Sequence, residues 1–200
     1  MPVSDQSLLL HAYRRGFFPM AKGREESEIY WVAPDRRGII PLDGFHIPHS
    51  LRKFLKHSGF HYSINQAFET VLSSCAAPRT KQPDSWINPA IAALYRDLWQ
   101  RGFAHSVEVW QGAVGAQLVG GLYGVAMGAA FFGESMFSRQ TNASKAALVE
   151  LVRHLNERGF RLLDAQFYTP HLGQFGAQEI DQADYLLLLD DALARDASFV

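Results

Sequence analysis

The sequence predicts an α+β fold, and three observations support that class. Helical patterns prevail between residues 48 and 102, and three strand-like runs follow in close succession. Glycine-rich turns link these runs, which favours antiparallel pairing between neighbours. A long helical pattern and one more strand-like run come next, and this order of helices, antiparallel strands, helix and strand is typical of α+β domains.

Residues 1–44 are expected to form a small N-terminal α/β lobe. Apolar residues repeat at helical spacing within residues 4–15, which predicts a short helix. The chain is then expected to extend, because the residue before Pro19 avoids the helical region. The composition changes at Asp43-Gly44, so the sequence places the boundary with a main domain, residues 45–200, at that point.

The main domain is expected to carry the core. Asn88-Pro89 is a strong helix start, with asparagine as the cap and proline in the first turn. Asn142 is expected to cap a long helix that Gly159 ends. The predicted helices cover residues 48–57, 66–76, 88–102, 142–159 and 182–194, and the predicted strands cover 60–64, 104–110, 117–123, 128–132 and 161–167. This order matches a GNAT-like acyltransferase core, in which chemistry takes place where neighbouring strands splay apart.

Composition excludes several classes of protein. The net charge of −1 argues against an indiscriminate grip on nucleic acid, and basic clusters such as Arg52-Lys53-Lys56 and Arg79 with Lys81 either contact phosphates or are ordinary solvated surface. No run approaches the roughly 18–20 apolar residues of a membrane helix, and the N-terminus lacks the pattern of a secretory signal. Cys75 is the only cysteine, which excludes an internal disulfide and indicates a reducing cytoplasm.

Two segments carry unusual residues that periodicity does not explain. The first is Gly133-Glu134-Ser135-Met136-Phe137-Ser138, followed by Asn142-Ala143-Ser144-Lys145, and the second is Asp164-Ala165-Gln166. Together with Phe18-Pro19-Met20, they resemble the leucyl/phenylalanyl-tRNA–protein transferase family, and the resemblance covers nearly the whole chain. One departure is Tyr30-Trp31-Val32-Ala33-Pro34, where many members have a Trp-Trp-Ser-Pro run.

The resemblance implies an activity and its partners. The protein would move leucine, phenylalanine or methionine from an aminoacyl-tRNA to the α-amine of proteins that begin with arginine or lysine, and would so mark them for degradation. It also implies a GNAT-like catalytic domain behind the N-terminal lobe, a cytoplasmic location, no membrane, no metal and no cofactor. We expect a monomer, because no long amphipathic seam is left over.

Glu134 lies between glycine and serine at the end of an apolar strand. A charged residue in that position either faces solvent or lies at the rim of a pocket. The resemblance implies the pocket, where the carboxylate would hold the α-ammonium group of the donor amino acid. If it is buried, the carboxylate needs hydrogen-bonding partners of its own.

Asp164 and Gln166 alternate with Ala165, so they are expected to share one face of a strand. Such a pair is either a site or a solvated strand end, and the resemblance implies a catalytic pair. A glutamine amide is no base, but its carbonyl oxygen accepts hydrogen bonds, and an α-amine with a pKa of about 8 has a usable neutral fraction at pH 7. We expect Gln166 to hold the attacking amine, and Asp164 to orient Gln166 and stabilise the developing positive charge. The ribose hydroxyl next to the ester is the other candidate for moving the proton.

Further residues are candidates for binding the donor. Apolar residues near these strands are either plain core or the lining of a pocket for leucine or phenylalanine; they are Leu122, Met136, Phe137, Leu148 and Leu163. Three aromatic residues, Trp31, Trp86 and Tyr95, are expected to stack on the terminal adenine of tRNA, unless they pack the interface between the lobes.

Three other functions stay open at this point. An acetyl-CoA-dependent acetyltransferase needs an Arg/Gln-x-x-Gly-x-Gly/Ala loop for the pyrophosphate, whereas Arg139 to Ser144 has asparagine where the first glycine belongs. A related transferase that delivers leucine to acidic N-termini, or one that delivers arginine, lacks the Gly-Glu-Ser-Met-Phe-Ser run. A tRNA-binding module without activity has no need for an intact pair of Asp164 and Gln166.

Overall fold

A computed structural model describes residues 5–26, 28–78 and 84–200, with side chains in the first helix from Leu8 onward. The predicted basic pair of Arg79 and Lys81 lies outside the described residues. The helices are α1 (Asp5–Arg14), α2 (His49–His57), α3 (Phe68–Ala76), α4 (Pro89–Gln100), α5 (Ala143–Glu157), α6 (Pro170–Gly173) and α7 (Gln182–Leu193). The strands are β1 (Phe18–Met20), β2 (Tyr30–Val32), β3 (Arg36–Ile39), β4 (Phe60–Ile64), β5 (Ala104–Gln111), β6 (Gln117–Met127), β7 (Ala130–Ser138), β8 (Leu162–Gln166) and β9 (Gln178–Asp181).

A mixed sheet of seven strands, in the order β4-β5-β6-β7-β8-β3-β9, forms the centre of the molecule. All neighbouring strands are antiparallel except β7 and β8, which are parallel. Strands β1 and β2 pair separately as a small antiparallel sheet. The predicted α+β class is confirmed, including the antiparallel meander of β5, β6 and β7.

Strands β7 and β8 diverge, and this divergence positions the site. Their pairing covers only Ala130–Phe132 against Leu162–Asp164. Beyond that point β7 follows β6 up to Ser138, while β8 turns to pair with β3. The splayed strands predicted for a GNAT-like core are therefore present, and they leave a cleft between them.

The sheet is covered by apolar residues on both faces. One hydrophobic cluster joins the sheet to α1, α3, α4 and α7, with Tyr13, Leu72, Tyr95 and Leu189 among its fully buried members. The other joins the opposite face to α5 through residues such as Leu151. Since both faces are buried, β5 and β6 are buried along almost their whole lengths, and their sequences show no clear alternation of polar and apolar residues.

The turn between β6 and β7 lies later than the sequence indicates. Strand β6 runs on to Met127, and the chain reverses at Gly128, which has a φ of +53°. Gly124, which falls between the strands predicted at 117–123 and 128–132, lies inside β6, as do Gly120 and Gly121. A Cβ atom on Gly120 would lie 2.6 Å from the Cβ of Ala143 in α5, so this glycine is required for close packing of the helix on the sheet.

The two predicted helix caps have different outcomes. Asn88 caps α4 as predicted, because its Oδ1 accepts a hydrogen bond of 2.8 Å from the backbone N–H of Ile91. The prediction for Asn142 is wrong, since its side chain makes no capping hydrogen bond and its φ is +64°. Ser138, at the end of β7, provides the cap instead, with its Oγ 3.2 Å from the backbone nitrogen of Ser144.

Two elements, α6 and β9, are absent from the sequence prediction, because each spans only four residues. Strand β3 belongs to the large sheet although it precedes residue 44, and the division into domains at that residue stays a prediction. Among the described residues, no helix is long and apolar enough to cross a membrane.

Candidate active site

A cavity of about 230 Å³ lies where β7 and β8 diverge. It brings together most of the residues that the sequence predicts for the site: Leu122, Glu134, Met136, Leu148, Leu163, Asp164 and Gln166. Phe137 is an exception. It is 5% exposed, packs in the core on the α3 and α4 side and does not line this cavity, so its predicted place in the lining is wrong.

Irregular pairing aims the polar side chains at the cavity. Gly124 pairs with Gly133 and Tyr123 with Ser135, so Glu134 is an extra residue in β7 with no partner in β6. The register between β3 and β8 shifts in the same way and leaves Ala165 without a partner. Such bulges bend a strand locally and redirect its side chains, and they recur next to active sites.

The Glu134 carboxylate is buried and is held by two tyrosines from other elements. It is 7% exposed and accepts hydrogen bonds of 2.7 Å from Tyr13 in α1 and 2.6 Å from Tyr95 in α4. Burial is the main cause that raises the pKa of Glu134, and the nearby Asp164 adds to it; the hydrogen bonds from Tyr95 and Tyr13 and the side chain of Gln166 oppose the shift, and the resulting pKa is about 7. Near neutral pH this group therefore exists in both charge states, which is typical of functional carboxyls.

Tyr95 has a different place from the predicted one. It is fully buried, and its hydroxyl bonds to Glu134 and lies 2.8 Å from that of Tyr13. A ring with no exposed face does not stack on a base, so the predicted contact of Tyr95 with adenine is wrong. Trp31 is 36% exposed and Trp86 is half-buried against the core; their predicted stacking stays a prediction.

Two buried polar atoms at the cavity have no hydrogen-bond partner within the described part of the chain. They are the hydroxyl of Tyr123 and Nε2 of Gln166, and both residues line the cavity. Leaving such a group unsatisfied costs about 1–3 kcal/mol. Two unsatisfied groups beside a partly ionised carboxylate indicate a site prepared for a polar ligand. Neither Tyr13 nor Tyr123 is identified from the sequence, where both look like core residues.

Asp164 is completely buried and accepts four hydrogen bonds. Arg37 donates two of them, at 2.9 and 2.6 Å, the Tyr185 hydroxyl donates one at 2.8 Å, and the backbone N–H of Gln166 donates one at 2.8 Å. Four bonds occupy the acceptor positions of a carboxylate. Asp164 therefore orients Gln166 through the backbone. Its other predicted role, direct stabilisation of the positive charge that develops on the attacking amine, is disfavoured because Arg37 already neutralises the Asp164 carboxylate.

Gln166 has a rare backbone conformation. Its φ is +62°, and a hydrogen bond of 2.7 Å from the Phe167 N–H to the Ala165 carbonyl closes a tight turn around it. Positive φ is uncommon for residues other than glycine, and such strain persists where the surroundings impose it, often at functional sites. This turn and the bulge, rather than the simple alternation expected from the sequence, bring Asp164 and Gln166 to the cavity.

Arg37 is a further residue of the site that the sequence does not identify. It is 1% exposed, donates a hydrogen bond of 2.8 Å to the Gly16 carbonyl and lies between the rings of Phe18 and Tyr185, at 4.7 and 4.5 Å from their centres. In the sequence it looks like half of a basic surface pair with Arg36, which is indeed exposed. Alternation along β3 is the one signal that separates the two.

Comparison with known proteins gives consistent matches. A family model described as leucyl/phenylalanyl-tRNA protein transferase matches residues 39–190, and the model of that family's N-terminal domain matches residues 5–35. The leucyl/phenylalanyl-tRNA–protein transferase of Paramagnetospirillum magneticum is 55% identical over 96% of this chain and 90% of its own length. That of Rhizorhabdus wittichii is 53% identical over 96% and 77%, respectively.

Similarity to solved structures is weaker. The structure of L-PGS from Bacillus licheniformis covers 96% of this chain and 71% of its own, with 12% identity and a TM-score of 0.49. A similarity of that size has no bearing on function.

Replacing Arg37 tests the importance of the buried ion pair. Arg37→Met leaves the Asp164 carboxylate buried without its cation, and we expect the free energy of unfolding to fall by about 3–5 kcal/mol in urea titrations. The control Arg96→Met breaks an exposed pair with Glu69 and is expected to cost less than about 1 kcal/mol. Equal losses in the two variants would contradict the role assigned to Arg37.

The raised pKa of Glu134 predicts a specific dependence of stability on pH. Because its pKa is about 7 in the folded state and 4.5 as a free group, the folded state binds the proton more tightly. The protonated Glu134 carboxyl therefore stabilises the folded state. Its contribution to the free energy of unfolding is complete below about pH 4.5, and roughly 3 kcal/mol is lost as the pH rises to about 7.

Glu134→Gln removes this contribution, so its unfolding free energy relative to the wild type should rise across that window. The control Glu25→Gln, which removes an exposed carboxylate, should show no such trend. A constant difference between Glu134→Gln and the wild type from pH 4.5 to 7.5 would refute the assignment.

Proposed function

This chain belongs to the leucyl/phenylalanyl-tRNA protein transferase family, and from that premise we propose which substrates its cavity takes and how its residues act on them. The protein is an aminoacyltransferase, which moves an amino acid from aminoacyl-tRNA to the N-terminus of another protein. The observation that supports the finer proposal is the buried, partly ionised carboxylate of Glu134 at an otherwise largely apolar cavity.

The cavity takes the donor amino acid, with its side chain on the apolar lining of Leu122, Met136, Leu148 and Leu163. Apolar pockets discriminate between apolar side chains by only about 1–3 kcal/mol per methylene. A cavity of about 230 Å³ therefore accepts leucine and phenylalanine, and methionine as well, without a separate site for each.

Glu134 holds the α-ammonium group of the donor. Opposite charge within a few ångströms favours the ionised carboxylate, so donor binding lowers the pKa of Glu134 and completes its ionisation. The Tyr123 hydroxyl, which has no partner in the described structure, accepts a further hydrogen bond from the same ammonium. A donor with a blocked α-amine would leave both groups unsatisfied.

Gln166 positions the attacking amine of the acceptor protein. The amine nitrogen forms a bond to the ester carbonyl carbon, the bond from that carbon to the ribose oxygen breaks, and the amine proton ends on the released ribose hydroxyl. The Gln166 carbonyl accepts a hydrogen bond from the amine, while its Nε2, which has no hydrogen-bond partner within the described ranges, faces the Glu134 carboxylate, whose pKa it lowers. Asp164 is not the base, because its acceptor positions are filled; positioning and electrostatics carry the reaction.

The acceptor is a protein with arginine or lysine at its N-terminus, which the reaction marks for degradation. Residues 101–200 contain seven Lys/Arg against eleven Asp/Glu, so the catalytic half is acidic. Glu179 pairs across β3 from Gln166, because both pair with Gly38, and two strand spacings separate them by about 10 Å. Because Arg36 pairs with Glu179, the acidic balance of this half as a whole, rather than that one carboxylate, favours a cationic acceptor.

Donor tRNA is expected to approach along α2. Arg52, Lys53 and Lys56 line a shallow groove with His49 and His57, and none of them belongs to an ion pair within the described ranges. Unpaired cations on one helix suit a phosphate backbone. Trp31 and Trp86 remain the candidates for stacking on the terminal adenine, and the protein acts as a cytoplasmic monomer in this proposal.

Intact-mass spectrometry of a short peptide tests the donor and acceptor together. A peptide that begins with arginine should gain the mass of one leucine residue when incubated with the protein and leucyl-tRNA. The same peptide beginning with alanine should gain nothing. Acetylation of the peptide from acetyl-CoA, with no gain from leucyl- or phenylalanyl-tRNA, would overturn the proposal.

Replacing Gln166 tests its role as a positioning amide. Gln166→Glu puts a carboxylate beside Glu134 and removes the amide donor, and we expect kcat to fall by about 10²–10³-fold, as for loss of a preorganised polar contact. The control Gln178→Glu makes the same change on exposed β9 and should retain the wild-type rate. Full activity of Gln166→Glu, with an unchanged melting temperature, would rule out this role.

A further inference from the structure

A second, open cavity of about 490 Å³ adjoins the first and shares Met136 with it. It lies between the end of α3 and the start of α5. Its lining contains hydroxyls and cationic or titratable groups: Ser74, Ser138, Ser144, Arg139 and His171. No carboxylate is among its lining residues in the described part of the chain.

Arg139 is held in place by neutral groups. Its guanidinium donates hydrogen bonds of 3.3 Å to the Leu118 carbonyl and 2.9 Å to the Ser74 hydroxyl, and it lies 5.3 Å from the centre of the Phe137 ring. It forms no ion pair with any residue of the described ranges. A guanidinium that is oriented but not neutralised is suited to a bidentate contact with an anion.

Lys145 adds a second cation close by. Its Nζ donates to the amide oxygen of Gln174, at 3.2 Å, rather than to a carboxylate. Lys145 directly follows Ser144, which lines the cavity together with His171. Burial lowers the pKa of His171, and the Lys145 charge lowers it further. The second cavity therefore has a positive potential beside an aminoacyl pocket.

We propose that the second cavity binds the 5′ phosphate of the terminal adenosine of the donor tRNA, with Arg139 as its principal ligand. The inference rests on the proposed function, which puts the aminoacyl group in the first cavity. The ribose that carries the ester also carries this phosphate, so the phosphate lies one sugar away from the aminoacyl group. A cationic acceptor is repelled by Arg139 and Lys145, so the acceptor takes another route to Gln166.

Two minimal donors test the assignment, namely adenosine esterified with leucine at the ribose 3′ oxygen, with and without a 5′ phosphate. A charged hydrogen bond is worth about tenfold or more, so wild-type kcat/KM should be about tenfold higher for the phosphorylated donor. Arg139→Gln should remove this preference, so that the variant has the same kcat/KM for the two donors. Arg139→Lys keeps the positive charge but not the bidentate geometry of the guanidinium, and it should retain part of the preference for the phosphorylated donor.

Arg158→Gln is the matched control, because Arg158 lies at the opposite end of α5 and its replacement makes the same change in net charge. It should retain the full preference for the phosphorylated donor. Calorimetry with AMP and adenosine gives a readout that needs no catalysis: the wild type should bind AMP about tenfold more tightly, and Arg139→Gln should bind both alike.

An unchanged preference in Arg139→Gln would overturn the proposal, and so would a wild type with no preference. A change confined to the KM of the acceptor peptide would overturn it too, by assigning the cavity to the acceptor. Failure of the proposed function is distinguishable, because the wild type would then transfer leucine from neither minimal donor nor from leucyl-tRNA.

Discussion

The buried ion pair of Arg37 and Asp164 is the interaction on which the site depends. It joins β3 to β8, and through the Gly16 carbonyl it ties both strands to the end of α1. Removing two charges from water costs several kcal/mol each, which only good geometry and further hydrogen bonds offset. Here the hydrogen bonds to Tyr185 and to the Gln166 backbone supply that compensation. The same contacts hold Gln166 in its strained turn, so stability and site geometry have one physical cause.

Glu134 presents the opposite case, a buried carboxylate that forms no ion pair with any residue in the described part of the chain. Hydrogen bonds from two phenol hydroxyls, one in α1 and one in α4, offset part of the cost of burying this carboxylate. The raised pKa of Glu134 reflects the part of that cost that they do not offset. A bound ammonium stabilises a carboxylate of this kind, because the ion pair replaces the stabilisation of the charge that water provided before burial. Since Tyr13 comes from the N-terminal segment, that segment is part of the site and not an appendage to it.

The divergence of β7 and β8 separates two environments with different chemistry. On one side of Met136 the cavity is mostly apolar, with Glu134 as its anionic group; on the other it is hydroxylated and cationic. An aminoacyl-adenosine 5′-phosphate has the complementary order of groups, with ammonium and apolar side chain at one end and phosphate at the other. In the proposed binding mode, the opposite charges of the adjoining cavities select the direction in which such a donor binds.

The sequence by itself determined the α+β class, most element positions, the family resemblance and half of the cavity residues, because periodicity and helix caps are local and the motif residues lie close together in the chain. The tertiary structure alone decided the partners of those residues. Arg37 looks like surface charge, and Tyr13, Tyr95 and Tyr123 look like core or stacking residues, until α1, α4, β3 and β8 meet. The positions of the turn at Gly128 and of the helix cap at Ser138 also depended on packing. In the same way, the close contact between the sheet and α5 requires a glycine at position 120, inside β6. Hydrogen bonds between buried side chains join residues up to 127 positions apart, and no local pattern in the sequence records such contacts.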